Sequence, residues 1–174
     1  LMQPHSRTVT LPKGSLIEVA NGVLITNPCL SYIHETTRRE YYDLLMLSYE
    51  LTGSHQSMLC GMPLQYNVPP LVSTKALQSY AKQNHSLYGS GKASKALIYT
   101  SDMSASPRET KLALLLALPS TRGGFGIGVP FLNYEVETTP AARIISGRRT
   151  LRCDLYYPDG MIDIEYQSRE FHNE

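Results

Sequence analysis

The segment Leu151 to Gln167 constrains the chain most, because apolar and polar residues alternate on both sides of the turn residues Pro158, Asp159 and Gly160. Alternation with period two is the mark of a half-buried strand, and Pro-Asp-Gly is a turn sequence. One face carries Leu151, Cys153, Leu155 and Tyr157 with Ile162, Ile164 and Tyr166, which makes it the core face. The other carries Arg152, Asp154 and Tyr156 with Asp163, Glu165 and Gln167. Pairing Tyr157 with Ile162 across the turn sets Asp154 directly opposite Glu165. Like charges facing each other across a ladder are destabilising, and a bound divalent cation is the usual offset. Oxygen-only ligands of this kind suit Mg²⁺ or Mn²⁺ rather than zinc. The plainer alternative is a solvated acidic face beside Arg152 and Arg169.

At 174 residues the chain fits one domain, or two small ones around a shared core, without a disulfide or metal staple. Apolar residues at 42% and charged residues at 18% exclude wholesale disorder. The longest apolar runs, such as Leu112 to Leu118, fall far short of the roughly 20 residues that span a bilayer. A formal charge of +1 gives no general pull toward nucleic acid or anionic membrane, so any DNA contact is local. Cys29, Cys60 and Cys153 are widely spaced, which fits a reducing cytoplasm, and His34-Glu35 lacks the second histidine of a zinc-protease HExxH. The start at Leu1-Met2-Gln3-Pro4 has no signal-peptide pattern and reads as the middle of a longer chain.

Thr8 to Asn27 reads as strands broken at Lys13-Gly14 and at a hairpin-forming Asn21-Gly22. A helix is expected from Thr37 to Leu51, ended by Gly53, with Glu35/Arg39 and Arg39/Asp43 pairs at helical spacing. An extended connection from Gly61 to Pro70 leads to a helix capped by Ser73, and a shorter helix covers Lys92 to Tyr99. The segment Tyr88 to Lys92 is no phosphate loop, since Ser86 stands where the first glycine belongs and Ala93 replaces the hydroxyl residue. Gly123 to Gly128 is read as a tight connection, because its spacing is not G-x-G-x-x-G and Val129-Pro130 follow it.

Ser106, Pro107 and Glu109 are the N-cap, first-turn proline and N3 glutamate of a helix that runs to Pro119, with Leu112, Leu115 and Leu116 expected to be buried. Capping alone accounts for Glu109. A strand follows from Phe131 to Glu137, then a polar, basic connection from Pro140 to Thr150 holding Arg143, Arg148 and Arg149.

This order, a helix with Glu109, a strand, then Cys153-Asp154 to Glu165-Tyr166-Gln167, resembles the PD-(D/E)XK nuclease superfamily. It is most similar to the group related to very-short-patch-repair endonucleases, with local patterns at Ser106 to Lys111, Leu118-Pro119, Gly123 to Gly126, Pro130 to Tyr134 and Ser168 to His172. Upstream, Asn21 to Pro28 is similar to a segment that precedes the nuclease domain in abortive-infection antitoxin-like proteins. The resemblance implies an α/β, restriction-endonuclease-like mixed sheet with flanking helices in residues 104–174, preceded by a small α+β segment, residues 1–103, packing on that core. The family fold continues with another helix and strand, so the core is expected to be cut short at its C-terminus.

Carried over residue by residue, the resemblance makes Asp154 and Glu165 the ligands of Mg²⁺ or Mn²⁺, with Glu109 binding or orienting the attacking water. Gln167 stands where the superfamily most often has lysine, and it can only hydrogen-bond. Arg169 and His172 are candidates for the charge it lacks. Residues 104–174 hold eight basic and nine acidic side chains, which leaves Arg143, Arg148 and Arg149 as the expected phosphate clamp. The expected activity is metal-dependent hydrolysis of DNA phosphodiesters in the cytoplasm, by a homodimer or with a partner protein. The alternative is a catalytically weak or inactive regulator, an antitoxin-like module that binds DNA or a partner.

Overall fold

The computed structural model describes residues 10–57 and 63–167, which form a mixed α/β structure of six α-helices and small antiparallel sheets. Arg169 and His172 lie outside the described residues. No described helix is long and apolar enough to cross a membrane.

Strands β1 (Leu16–Ala20) and β2 (Val23–Thr26) pair across Asn21-Gly22, with Gly22 at φ 74° and a register irregularity between Glu18 and Ala20. This ribbon is exposed on both faces, Leu16, Ile17, Val19, Val23, Leu24 and Ile25 included. Helix α1 (Pro28–Glu35) follows, capped by Asn27, whose side chain accepts the Leu30 N–H at 2.8 Å. The helix expected from Thr37 to Leu51 starts four residues later, at Tyr41, and α1 lies upstream of it, between the expected strands and that helix. The Glu35–Arg39 ion pair, 2.7 Å, spans the turn between α1 and α2 (Tyr41–Thr52) rather than lying on one helix face. Two short strands, β3 (His55–Gln56) and β4 (Gln65–Tyr66), pair before α3 (Thr74–Gln83), which Ser73 caps as expected, and α4 (Ser90–Leu97).

Helix α5 (Pro107–Ala117) starts at the Ser106 cap. Ala113, Leu114, Leu116 and Ala117 are its buried side, whereas Leu115 is 43% exposed and Leu112 only half-buried, so the buried stripe is rotated from the expected one. The glycine-rich segment folds back over the helix end. Amides of Phe125, Gly126 and Ile127 donate to the carbonyls of Leu115, Leu118 and Leu116, supplying the partners that a helix C-terminus lacks. Strand β5 (Phe131–Glu137) then pairs with β6 (Thr150–Tyr157), which pairs with β7 (Ile162–Ile164) across a 3₁₀ turn at Pro158–Gly160. Helix α6 (Pro140–Ser146) occupies the stretch read as an irregular basic connection. Thr139 caps it, Pro140 opens it and Gly147 ends it at φ 66°. Its Ile144 and Ile145 are 86% and 89% exposed, so it has no apolar stripe facing the core to betray it by periodicity.

One apolar cluster joins both halves of the chain: Tyr32, Leu44, Leu45, Tyr49, Leu77 and Leu97 pack with Leu114, Leu132 and Leu155. Close approach of α4 to α1 depends on Gly89, at φ 101°, where a Cβ would strike Thr36 Oγ1 and the Ile33 carbonyl. Lys92, once the phosphate-loop reading is set aside, donates to the carbonyls of Thr36 and Arg39, both at 2.8 Å, and fastens the same corner. Gly89→Ala should therefore cost about 3 kcal/mol, combining left-handed strain with overpacking. Gly91→Ala, one helical step into open space, should be neutral or gain about 0.5–1 kcal/mol. Urea unfolding of the two variants checks this, and equal midpoints would dismiss the close-packing account.

Candidate functional site

The β6–β7 ladder pairs Tyr157 with Ile162, Tyr156 with Asp163 and Leu155 with Ile164, so that Asp154 and Glu165 stand next in register. The ladder stops there, and side chains take over from the backbone. The Tyr166 amide donates to Asp154 Oδ2 at 2.8 Å, and the Asp154 backbone lies near enough to the Glu165 carboxyl to favour its charged form slightly. Asp154 thus satisfies a main-chain donor of the other strand, and the charges of the two carboxyls act on each other at the strand ends. Asp163 joins them through a side-chain hydrogen bond to Glu165.

This crowding changes proton affinity. Desolvation, the hydrogen bond to Asp163, and the charges of Asp154 and Asp163 together push the Glu165 carboxyl up from 4.5 to about 7, against a smaller opposing pull from the Asp154 backbone. The buried Cys153 thiol is pushed up to about 11, first by burial and then by Asp163 and the other two acids. It is a poor nucleophile there, since the thiolate is the reactive form.

Glu109 is engaged elsewhere. Its N–H donates to Ser106 Oγ at 3.1 Å, and its carboxylate accepts from the Ser106 hydroxyl (3.1 Å), the Ala105 amide (3.1 Å) and the Asn133 side-chain amide (2.8 Å). The Ser106 cap is formed, and the Glu109 side chain reaches back to the Ser106 hydroxyl and to the amide one residue before the N-cap, so both carboxylate oxygens have donors. Asn133 occupies the β5 slot across from Asp154, between the pairs Leu132–Leu155 and Tyr134–Cys153, so Glu109 connects to the sheet one strand away from the acid pair. Asn133 itself adopts φ 50° and also donates to the Met103 carbonyl at 2.9 Å.

Gln167 is exposed beyond the end of β7. Arg143, Arg148 and Arg149 are exposed on and after α6, with Arg143 donating to the Thr138 carbonyl at 3.3 Å. Thr138 Oγ1 donates to the carbonyls of Arg148 (2.7 Å) and Arg149 (2.8 Å) and so holds the α6 turn. Two participants escaped the sequence reading as site residues: Asp163, which alternation does place beside Glu165, and Asn133, whose left-handed geometry carries no sequence signal. No family model, curated protein or solved structure matches the chain.

As a donor set for a hard divalent cation the acids fit in chemistry, being carboxylate oxygens whose mutual repulsion already favours an added proton. In geometry they offer a pair, because among the described residues no three His, Cys, Asp or Glu side chains are grouped to hold a metal ion. The raised Glu165 pKa fixes a sign. The folded state holds this proton more tightly than the unfolded one, so the associated stability is complete below about pH 4.5 and is lost as pH rises toward 7. Glu165→Gln, permanently neutral, should melt above the wild type at pH 8, with the gap closing below pH 4.5. Thermal melts across that range test it, and a gap independent of pH would dismiss the crowding account.

Proposed function

We propose that the protein is a metal-dependent DNA endonuclease-like protein acting in the cytoplasm through a restriction-endonuclease-like core. The observation that carries the reading is the meeting of Asp154 and Glu165 at the end of the β6–β7 ladder, with Glu165 protonating near neutral pH. Such a local excess of negative charge is what binding of Mg²⁺ or Mn²⁺ relieves. Asp154 and Glu165 would hold the cation, with Asp163 hydrogen-bonded behind Glu165. A cation bound there supplies Lewis acidity, lowering the pKa of water and offsetting charge on the scissile phosphate.

The chain's own groups divide the remaining work. Tyr166 N–H orients Asp154, and the proton that Glu165 holds near neutral pH is the one a bound cation would displace. Glu109 acts through Asn133 as a positioning residue. Gln167 hydrogen-bonds without supplying charge. Arg148 and Arg149 precede the start of β6, so the basic turn lies about 13–20 Å along the strand from Asp154 and suits phosphates flanking the cleaved one.

A second reading, a regulator or antitoxin-like module that binds DNA or a partner, has its own support. Every carboxylate of the group already satisfies a backbone amide or a neighbouring side chain, and neutral Gln167 stands at the lysine position. Calorimetric titration with Mn²⁺ and a plasmid-nicking assay separate the two. For the nuclease, Glu165→Ala should abolish cation binding and reduce nicking by at least about 100-fold, with the fold retained. Equal stabilisation by Glu165→Ala with and without Mn²⁺, and no heat of binding in the wild type, would leave the regulator.

A further inference from the structure

In a regular strand Tyr134 would face away from Phe131 and share the buried side of its cross-strand partner Cys153. It does neither. Its ring lies 5.3 Å from that of Tyr156 with planes 5° apart, and 5.4 Å from Phe131 at 52°. Phe131 and Tyr156 are themselves register partners, so the three rings form one cluster. The cause is Asn133, whose left-handed φ of 50° reverses the alternation in mid-strand and is held by its bonds to Glu109 and Met103. Backbone strain of this kind persists only where surrounding structure enforces it, and it collects at functional positions. Here it does not build the core: Tyr134 is 45% exposed and Phe131 51%, while Cys153 is 6% exposed. The strain brings an aromatic ring outward.

The cluster borders a cleft of about 380 Å³, within the size range of small-ligand sites. Phe131 and Tyr134 line one wall, and Gln78, Ser101 and Asp102 supply amide, hydroxyl and carboxylate groups on the other. Among the described residues of the lining Lys75 is the single cation and Asp102 offsets it, so the cleft favours a planar, polar-edged, uncharged group over a phosphate. Tyr156 lies two residues along β6 from Asp154, about 7 Å away.

We infer that Phe131, Tyr134 and Tyr156 form a stacking platform for an unpaired nucleobase, so that the DNA presented to Asp154 and Glu165 is single-stranded or locally unpaired. The inference rests on the nuclease reading for its substrate, but base stacking can be measured without cleavage. The probes are a labelled 12-mer of deoxythymidine, an abasic strand of the same length and charge, and a 12-base-pair duplex, followed by fluorescence anisotropy in EDTA at low salt and again in Ca²⁺. The wild type should prefer the base-bearing strand to both others. Phe131→Ala and Tyr134→Ala should each weaken that binding by about 5- to 150-fold, the usual effect of removing one stacking ring, and erase the preference over the abasic strand. Tyr134→Phe, which keeps the ring, should retain it. Equal affinity for base-bearing and abasic strands, or alanine variants that fold and bind like the wild type, would overturn the platform. Base-dependent binding in a protein that neither binds Mn²⁺ nor nicks DNA would support the platform and sink the nuclease. Nicking of duplex DNA unaffected by Tyr134→Ala would do the reverse.

Discussion

The carboxylate of Glu109 is the point at which helix α5, the segment before it and the sheet share one acceptor. It takes the hydroxyl of the Ser106 cap that starts α5, fastens the Ala105 amide of the preceding segment and receives the side-chain amide of Asn133 from the sheet. The residue is buried, which strengthens each of these charge-assisted bonds and makes any vacancy among them costly. The preceding segment is in turn anchored to the end of α2, where Ser54 N–H and the His55 ring meet the Ser104 carbonyl. Helix, connecting segment and sheet are thus positioned by one side chain.

This explains why a cap and a site residue are not alternatives for Glu109. A carboxylate has several acceptor positions, so Oε1 can take the Ser106 hydroxyl while Oε2 takes both the Ala105 amide and Asn133. Its influence on the neighbouring acids is then exerted through backbone geometry, without direct contact. The acid pair has the same double character. Asp154 takes the Tyr166 amide where the ladder ends, and the same bond holds its charge beside Glu165. Structural use holds the groups still, and their fixed proximity shifts the proton affinity of Glu165.

What is legible in the sequence follows the range of the interactions concerned. The β6–β7 register is legible because alternation and a short turn are local, and the Ser73 and Ser106 caps are legible for the same reason. Helices α1 and α6 carry local signals as well, a capping Asn27 or Thr139 followed by proline. They are hidden by short length, and in α6 by isoleucines that face solvent. The buried side of α5 is set by the sheet it packs on, so Leu115 falls outside it despite its chemistry. Nothing local announces the left-handed Asn133. Asparagine tolerates that conformation, but its partners come from residues 24 and 30 positions away.

The β1–β2 ribbon follows from a different balance. Two strands exposed on both faces bury too little apolar surface to hold their own order. What restrains them sits at the base, where the Asn27 side chain donates to the Gly14 carbonyl and Ser15 and Tyr80 share a hydroxyl hydrogen bond of 2.6 Å. The ribbon's amides therefore exchange with solvent through a local opening that leaves the apolar cluster intact, at a free energy well below that of global unfolding. It is the part of the molecule whose order is borrowed from its attachment, and the first to be lost when that attachment loosens.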